Sequence, residues 1–407
     1  MTNPILSAYA SERWINCPPS QLLCRGHDVQ LTEYYDDSAC EGYGEHTNKD
    51  AHEGKECHRL AAYKLRKLLG QDATNPVSSL SCYTQEMDEC AEDYCAFIVN
   101  RVRELIQRGA NPAVIIEGRV DYSRYTGVEG SVGIADCIIV SNGTLHIYDL
   151  KYGRGISVSA ESNTQLMLYA LGALEMVGDR YDISAIRLTI YQPRRDNIHT
   201  CSMSKDELLS WASKVLYPAA QLAIEGNGEF CVGDHCRFCA IKAICRARAD
   251  RQLELAEFCS KLNKSNTATL TTDEIAYVLR RVNDLVTWAS DIKRWATEQA
   301  ELGIQISGFK LVQGRNGQRK YTDEEVVARI VRNAGYEPYK HVLLNPAEMT
   351  RLLGKAQFDR LLSQYIGLSP GKPTLVPDDD VRPALSSAAE DFSQVCQQFS
   401  IGGNNNA

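Results

Sequence analysis

Gly133-Ile134-Ala135-Asp136-Cys137-Ile138-Ile139-Val140-Ser141-Asn142-Gly143-Thr144-Leu145-His146-Ile147-Tyr148-Asp149-Leu150-Lys151 is the stretch that decides the fold. Two β-rich runs flank Asn142-Gly143, the strongest short-range hairpin signal, because both central residues of a type I′ turn need positive φ. In the register of a two-residue turn, Asp136 falls directly opposite Asp149. Their β-carbons are then expected about 4.5–5.5 Å apart on one face. Alternation puts Lys151 on the face of Asp149, with Ile134, Ile138 and Ile147 beside them. Two like charges on an apolar face are destabilising unless something offsets them. An Asp–Lys pair on an exposed strand is the plain alternative. A divalent cation offsets both charges: Mg²⁺ takes a few carboxylate oxygens, keeps waters and stays open to substrate phosphate. Such a set fits metal-assisted phosphodiester hydrolysis. Lys151 would orient the attacking water or meet the developing negative charge.

Working outward, the chain reads as α/β to about residue 250. Residues 5–25 look helical, broken at Cys17-Pro18-Pro19, and 26–50 read as an acidic loop. Helices are predicted over 51–70 and 84–109, the second with Ile98, Val102, Leu105 and Ile106 at helical spacing. Strands follow near 113–122, 132–140 and 144–151, then a helix over 161–177, then strands near 183–192 and 198–203. Ser204-Lys205-Asp206-Glu207 is a capping box, and Thr271-Thr272-Asp273-Glu274 and Thr322-Asp323-Glu324-Glu325 open two later helices. A short strand is expected near 308–313. The expected division is 1–250 α/β, 251–365 mainly helical, and 366–407 an extended or disordered tail rich in Pro, Gly, Ser and Asn.

The 407 residues carry 44 Lys+Arg against 52 Asp+Glu, a net charge of −8, with 44% hydrophobic residues, the balance of a globular chain. Nearly all the excess is local: 28–56 hold nine acids and two bases. The rest is close to neutral, so net charge does not exclude a nucleic-acid groove. Basic clusters stand at Arg237, Lys242, Arg246, Arg248 and Arg251, and at Lys310, Arg315, Arg319 and Lys320 beside Tyr321. Gly153-Arg154-Gly155 could approach a phosphate or simply turn. No run of 18 apolar residues exists, which excludes a membrane-spanning helix. Met1-Thr2-Asn3-Pro4 lacks a signal-peptide pattern, so the cytosol is the expected compartment. No Walker motif and no internal repeat are visible.

Gly133-x-x-Asp136, then Asp149-Leu150-Lys151, then Gln165-x-x-x-Tyr169 resembles the RecB-like branch of the PD-(D/E)xK nucleases. The resemblance implies a mixed central sheet flanked by helices. It implies Mg²⁺ or Mn²⁺ held by Asp136, Asp149 and the Leu150 carbonyl, with Lys151 catalytic and Gln165 and Tyr169 contacting DNA. The branch also carries an upstream histidine ligand. His58 matches that position, with His52 as competitor. Glu117, inside the apolar run Val114-Ile115-Ile116-Glu117, would help bind metal or pair with Arg119 or Lys151.

Fifteen cysteines in a chain without an export signal point to metal rather than disulfides. Cys236-x-x-Cys239-x-x-x-x-x-Cys245 needs a distant fourth ligand, and Cys17 is the candidate. The arrangement resembles the iron–sulfur nucleases of the same branch, the CRISPR-adaptation RecB-like exonucleases and AddB-type helicase–nucleases, which implies a structural 4Fe–4S cluster. Zinc, with Cys231 or His235 available, and plain buried cysteines are the alternatives. The whole chain, with Gly308-Phe309-Lys310 and Gly371-Lys372-Pro373, is also similar to phage and prophage RecB-like nucleases. The expected activity is a DNA exonuclease in phage recombination, beside a single-strand annealing or binding protein. The rivals are a non-catalytic DNA-binding scaffold and an iron–sulfur redox sensor.

Overall fold

Asn142 and Gly143 have φ of 48° and 72°, the two positive values a type I′ hairpin needs. In this computed structural model the turn joins β2 of a sheet whose strands are β1 (Ala113–Asp121), β2 (Val132–Ser141), β3 (Thr144–Leu150), β4 (Ala185–Gln192) and β5 (Asn197–Ser204). The structure describes residues 6–24, 45–262, 270–312, 323–339, 343–344 and 346–367. Strand order follows the sequence, β1-β2-β3-β4-β5. β3 and β4 are parallel and the other neighbours antiparallel. The parallel pair needs a crossover, and helix Thr164–Val177 supplies it.

The helices of interest are α1 (Ser11–Asn16), α2 (Glu45–Leu68), α3 (Gln85–Gln107), α4 (Thr164–Val177), α5 (Lys205–Trp211), α6 (Tyr217–Glu225), α7 (Arg246–Leu262) and α8 (Thr272–Glu301). Of these, α4 packs on one face of the sheet and α2 and α3 on the other. On one, Leu166 and Leu171 of α4 pack with Val120, Ile138, Ile147, Leu188 and Ile190. On the other, Leu60 and Leu65 of α2 and Tyr94 and Ile98 of α3 pack with Ile116, Cys137, Ile139, Tyr148 and Leu150. α4 lies close because Gly172 faces β1: a β-carbon there would come within 2.8 Å of Val120 Cβ. Burying these faces stabilises the sheet at roughly 25 cal/mol per Å² of apolar surface.

The three expected helix starts are present. Ser204 and Glu207 bond reciprocally at the start of α5, as do Thr271 and Glu274 before α8, and Asp323 caps Glu324–Asn333. α2 starts at Glu45, earlier than expected. No strand forms at 308–312. The acidic stretch 25–44, Arg315 to Tyr321 of the basic loop and the tail from 368 lie outside the described residues.

The chain divides into two units, 1–268 with 283–315, and 269–282 with 316–407. α7 runs across the boundary expected at 250. The second unit is helical in its described part, with Ala328 and Phe358 buried. Among the described residues no helix is long and apolar enough to cross a membrane.

Candidate metal centre

Strand alternation reverses at one level of the sheet. Ile115 and Ile138 face α4, and Ile116, Cys137 and Ile139 face α2 and α3. Yet Val120 and Ala135, beyond that level, also belong to the α4 side, which unbroken alternation forbids. The ladder pairs Ile116 with Cys137 and Gly118 with Ala135, but not Glu117 with Asp136. Glu117 has φ of 51°, a left-handed backbone uncommon outside glycine. The β2–β3 ladder likewise ends at Cys137–Tyr148, one step short of the aspartates. In place of the next pair, Asp136 Oδ2 accepts the Leu150 N–H at 2.7 Å. The expected single face shared by Asp136, Asp149 and Ile134 is therefore corrected. Ile134 is exposed, and Asp136 sits at the break.

The break brings side chains together from different elements. His58 of α2 donates from Nδ1 to Asp136 Oδ1 at 2.8 Å. Ligand atoms of His58, Glu117 and Asp136 all lie within 4.8 Å of one another. With Leu150 they line one small cavity. On the other side, Lys151 Nζ lies 2.9 Å from Asp149 Oδ2 and donates to Gln165 Oε1 at 2.9 Å. Gln165 Nε2 reaches Asp149 Oδ1 at 3.5 Å and donates to the Tyr169 hydroxyl at 3.0 Å. Asp149 is almost fully buried, and its Oδ2, although ion-paired, receives no aligned hydrogen bond.

Electrostatics follow from crowding acids in a buried place. Burial alone would lower the His58 pKa, but the charge and hydrogen bond of Asp136, with Asp149 and Glu117 behind, raise it to about 9. Burial and the charge of Asp136 push Glu117 up to about 7, against His58 and Arg66. Burial raises Asp149 too, opposed by Lys151 and reinforced by Asp136. Lys151 is raised because the Asp149 charge outweighs burial. The donor chemistry of this place fits a divalent cation: an imidazole nitrogen and two carboxylates whose ligand atoms lie within 4.8 Å of one another.

Other expected residues are placed otherwise. Tyr169 is buried and Gln165 is partly buried; Gln165 accepts from Lys151 and donates to the Tyr169 hydroxyl, so the pair helps to position Lys151. His52 lies apart from the centre, in a group with Glu56 and Cys82. There Glu56 accepts the Ser81 and Cys82 amides at 2.7 and 2.6 Å, which anchors the loop before α3. Arg154 is exposed and bonds Glu86. Arg248 and Lys242 converge on the buried Asp291 of α8.

The four expected cysteines, Cys17, Cys236, Cys239 and Cys245, line one cavity with Cys231, His235, Arg13, Lys242 and Arg248. Burial works against the Cys17 and Cys236 thiols, but His235, with backbone amides, lowers both. Hydrogen bonds to Cys17 and Cys236 in return raise His235 to about 10, against burial. Cys24, expected to be an ordinary core residue, touches Cys239 with sulfurs 3.6 Å apart. Several thiols, two of them acidified, around one cavity suit a thiolate-bound metal group; the identity of that group is a separate question.

A family profile described as "Protein of unknown function (DUF2800)" matches residues 4–383. The chain belongs to the DUF2800 family. That span takes in every residue of the candidate centre and the cysteine cavity. Among solved structures, one described as "Crystal structure of SSO0001" is 17% identical with a TM-score of 0.20, covering 46% of this chain and 95% of that chain. At that TM-score the likeness carries no argument. In this DUF2800 chain, sequence reasoning missed Tyr94, which lines the cavity of the centre. It also missed Arg194, which stacks on Tyr152 with its guanidinium 3.7 Å from the ring centroid. Neither has a motif to announce it.

Proposed function

We propose that this protein is a Mg²⁺- or Mn²⁺-dependent DNA exonuclease of the RecB-like PD-(D/E)xK kind. The observation that carries the reading is the convergence of His58, Glu117 and Asp136 within 4.8 Å, beside a lysine held by Asp149 and Gln165. The order of Gly133-x-x-Asp136, Asp149-Leu150-Lys151 and Gln165-x-x-x-Tyr169 supports it. His58, Glu117, Asp136, Asp149 and the Leu150 carbonyl would hold the cation. When bound, the cation supplies charge for the scissile phosphate and acidity for a water. Lys151 keeps its proton and is aimed by two acceptors, so it can orient the attacking water and meet charge on the phosphoryl oxygens. Gln165 and Tyr169 fix that aim.

Cys17, Cys236, Cys239 and Cys245 would hold a 4Fe–4S cluster that ties residue 17 to residues 236–245. His235, whose raised pKa reflects hydrogen bonds to Cys17 and Cys236, favours a second reading of that site as zinc with Cys and His ligands. Metal and acid-labile sulfide analysis of anaerobically purified protein separates the two. The partner would be linear DNA in a bacterial cytosol, handed on to a phage single-strand annealing or binding protein.

The test is degradation of end-labelled linear DNA by wild type and Asp149→Ala, with Mg²⁺, Mn²⁺ or EDTA. Metal-dependent loss of label by wild type alone is the expected result. Cleavage retained in Asp149→Ala sinks the site. No cleavage of single- or double-stranded substrate by either protein shifts the reading to a DNA-binding scaffold.

A further inference from the structure

Tyr94 projects from α3 toward the sheet and is 2% exposed. Its ring meets Tyr191 edge-on, with centroids 5.5 Å apart. Its hydroxyl is buried and has no hydrogen-bond partner among the described residues. Buried polar groups in folded proteins nearly always have a partner, and each exception calls for an explanation. The explanation lies next to it. Tyr94 lines the same cavity as His58, Glu117, Asp136 and Leu150, whose other walls are Ala61, Ala62, Leu65 and Ile116. Those four walls offer no side-chain donor or acceptor. The cavity measures about 10 Å³, near the smallest volume that holds one water.

We propose that Tyr94 is a positioning residue of the metal centre: its hydroxyl oxygen accepts a hydrogen bond from a water ligand of the cation held by His58, Glu117 and Asp136. The inference rests on the cation reading above. Mg²⁺ and Mn²⁺ take about six ligands, so even with the five protein ligands named above at least one position of such a cation would be left to water. A water on a cation gives its lone pair to the metal, so it donates hydrogens outward. Tyr94 is the polar group that faces this cavity from α3. Groups in this second layer fix the orientation of the shell, and losing one costs about 10–100-fold in metal affinity.

The experiment compares Mn²⁺ titration calorimetry and metal-free thermal unfolding of the full chain as wild type, Tyr94→Phe and His58→Ala. Phenylalanine keeps the ring and its packing on Tyr191. The expected result is Mn²⁺ affinity at least about 10-fold weaker in Tyr94→Phe, with a metal-free Tm equal to or above wild type. A Mn²⁺ affinity within two-fold of wild type overturns the proposal. So does a lowered metal-free Tm, because the hydroxyl would then serve the fold alone. Absent Mn²⁺ binding in wild type, or full binding in His58→Ala, overturns the cation reading itself. Binding lost in His58→Ala but kept in Tyr94→Phe overturns the role of Tyr94 alone.

Discussion

A β-carbon on Gly133 would stand 2.6 Å from Cε1 of Tyr169. The first residue of Gly-x-x-Asp and the last of Gln-x-x-x-Tyr are thus in direct contact across the β2–α4 interface. From there the link runs through the Tyr169 hydroxyl to Gln165 Nε2, and from Gln165 Oε1 to Lys151 Nζ. Two motifs separated by some thirty residues of sequence form one support for a single ammonium group.

Gly133→Ala should therefore harm the site more than the fold. The methyl must displace a buried ring, an overpacking cost of about 1–3 kcal/mol. Displacing Tyr169 also releases Gln165 from its place beside Lys151. The expected outcome is a modest fall in Tm with cleavage reduced at least about 10-fold, since small misplacements of catalytic groups cost that much or more. Thermal unfolding and single-turnover cleavage measure the two. A wild-type rate in a correctly folded Gly133→Ala would show the link to be idle.

Lys151→Met should show a stability deficit that grows with pH. Removing the ammonium leaves Asp149 buried without its ion pair, and the Asp149 pKa, already raised above 3.8, rises further. The folded state then holds a proton that the unfolded state releases, so stability falls as pH rises from about 4 toward neutral. At neutral pH the deficit should approach about 3 kcal/mol, the lower end for breaking a buried pair, because Lys151 is 24% exposed. Denaturant midpoints in EDTA at pH 4.5 and 7.5 test this. Equal deficits at both values would remove the ion pair from the account.

The centre was legible in sequence wherever its signal was local. Asn142-Gly143 sets the hairpin register, which places Asp136 and Asp149 at the same end of β2–β3. His58 followed only from resemblance. Glu117 was visible as an acid in an apolar strand, but its partner was not, because the reversal of alternation at Glu117 and Asp136 has no period to reveal it. Gln165 and Tyr169 were correctly put on one helix face, yet helical spacing does not say whether that face turns to solvent or to the sheet. Here it turns toward the sheet, where Gln165 accepts from Lys151 and donates to Tyr169. The same limit applies to Arg248, which reads as part of a basic run but is buried against Asp291.

Cation binding near neutral pH should release more than one proton. His58, raised to about 9, must lose its proton to ligate, and Glu117, raised to about 7, is half protonated at pH 7. Both folded pKa values exceed the unfolded ones, so the metal-free protein is most stable at low pH on this account. It loses that contribution as pH climbs through 7 for Glu117 and through 9 for His58. Saturating Mn²⁺ should flatten or reverse the trend. Titration calorimetry in buffers of differing ionisation enthalpy counts the protons. Glu117→Gln, which has no proton to release at that position, should bring the count to about one. A proton-neutral binding event in wild type would separate the cation from these residues.

Cys239→Ser and Cys24→Ser should behave differently although their sulfurs are 3.6 Å apart. Cys239 belongs to the Cys-x-x-Cys pair and lines the cavity with Cys17, Cys236 and Cys245, while Cys24 is not among the lining residues. If the cavity holds a metal group, that group bridges residue 17 to residues 236–245 and closes a loop of more than 200 residues. By chain entropy such a link is worth about 5 kcal/mol, an upper value because native-state strain subtracts from it. Cys239→Ser should lose bound iron and sulfide, or zinc, and most of that stability. Cys24→Ser should keep the metal and lose about 1 kcal/mol or less, the effect of a near-isosteric swap that leaves a hydroxyl to bond. Elemental analysis and thermal unfolding of both variants decide it. Metal lost from Cys24→Ser and kept in Cys239→Ser would exchange their roles, making Cys24 the ligand that the spacing of the Cys-x-x-Cys motif led us to overlook.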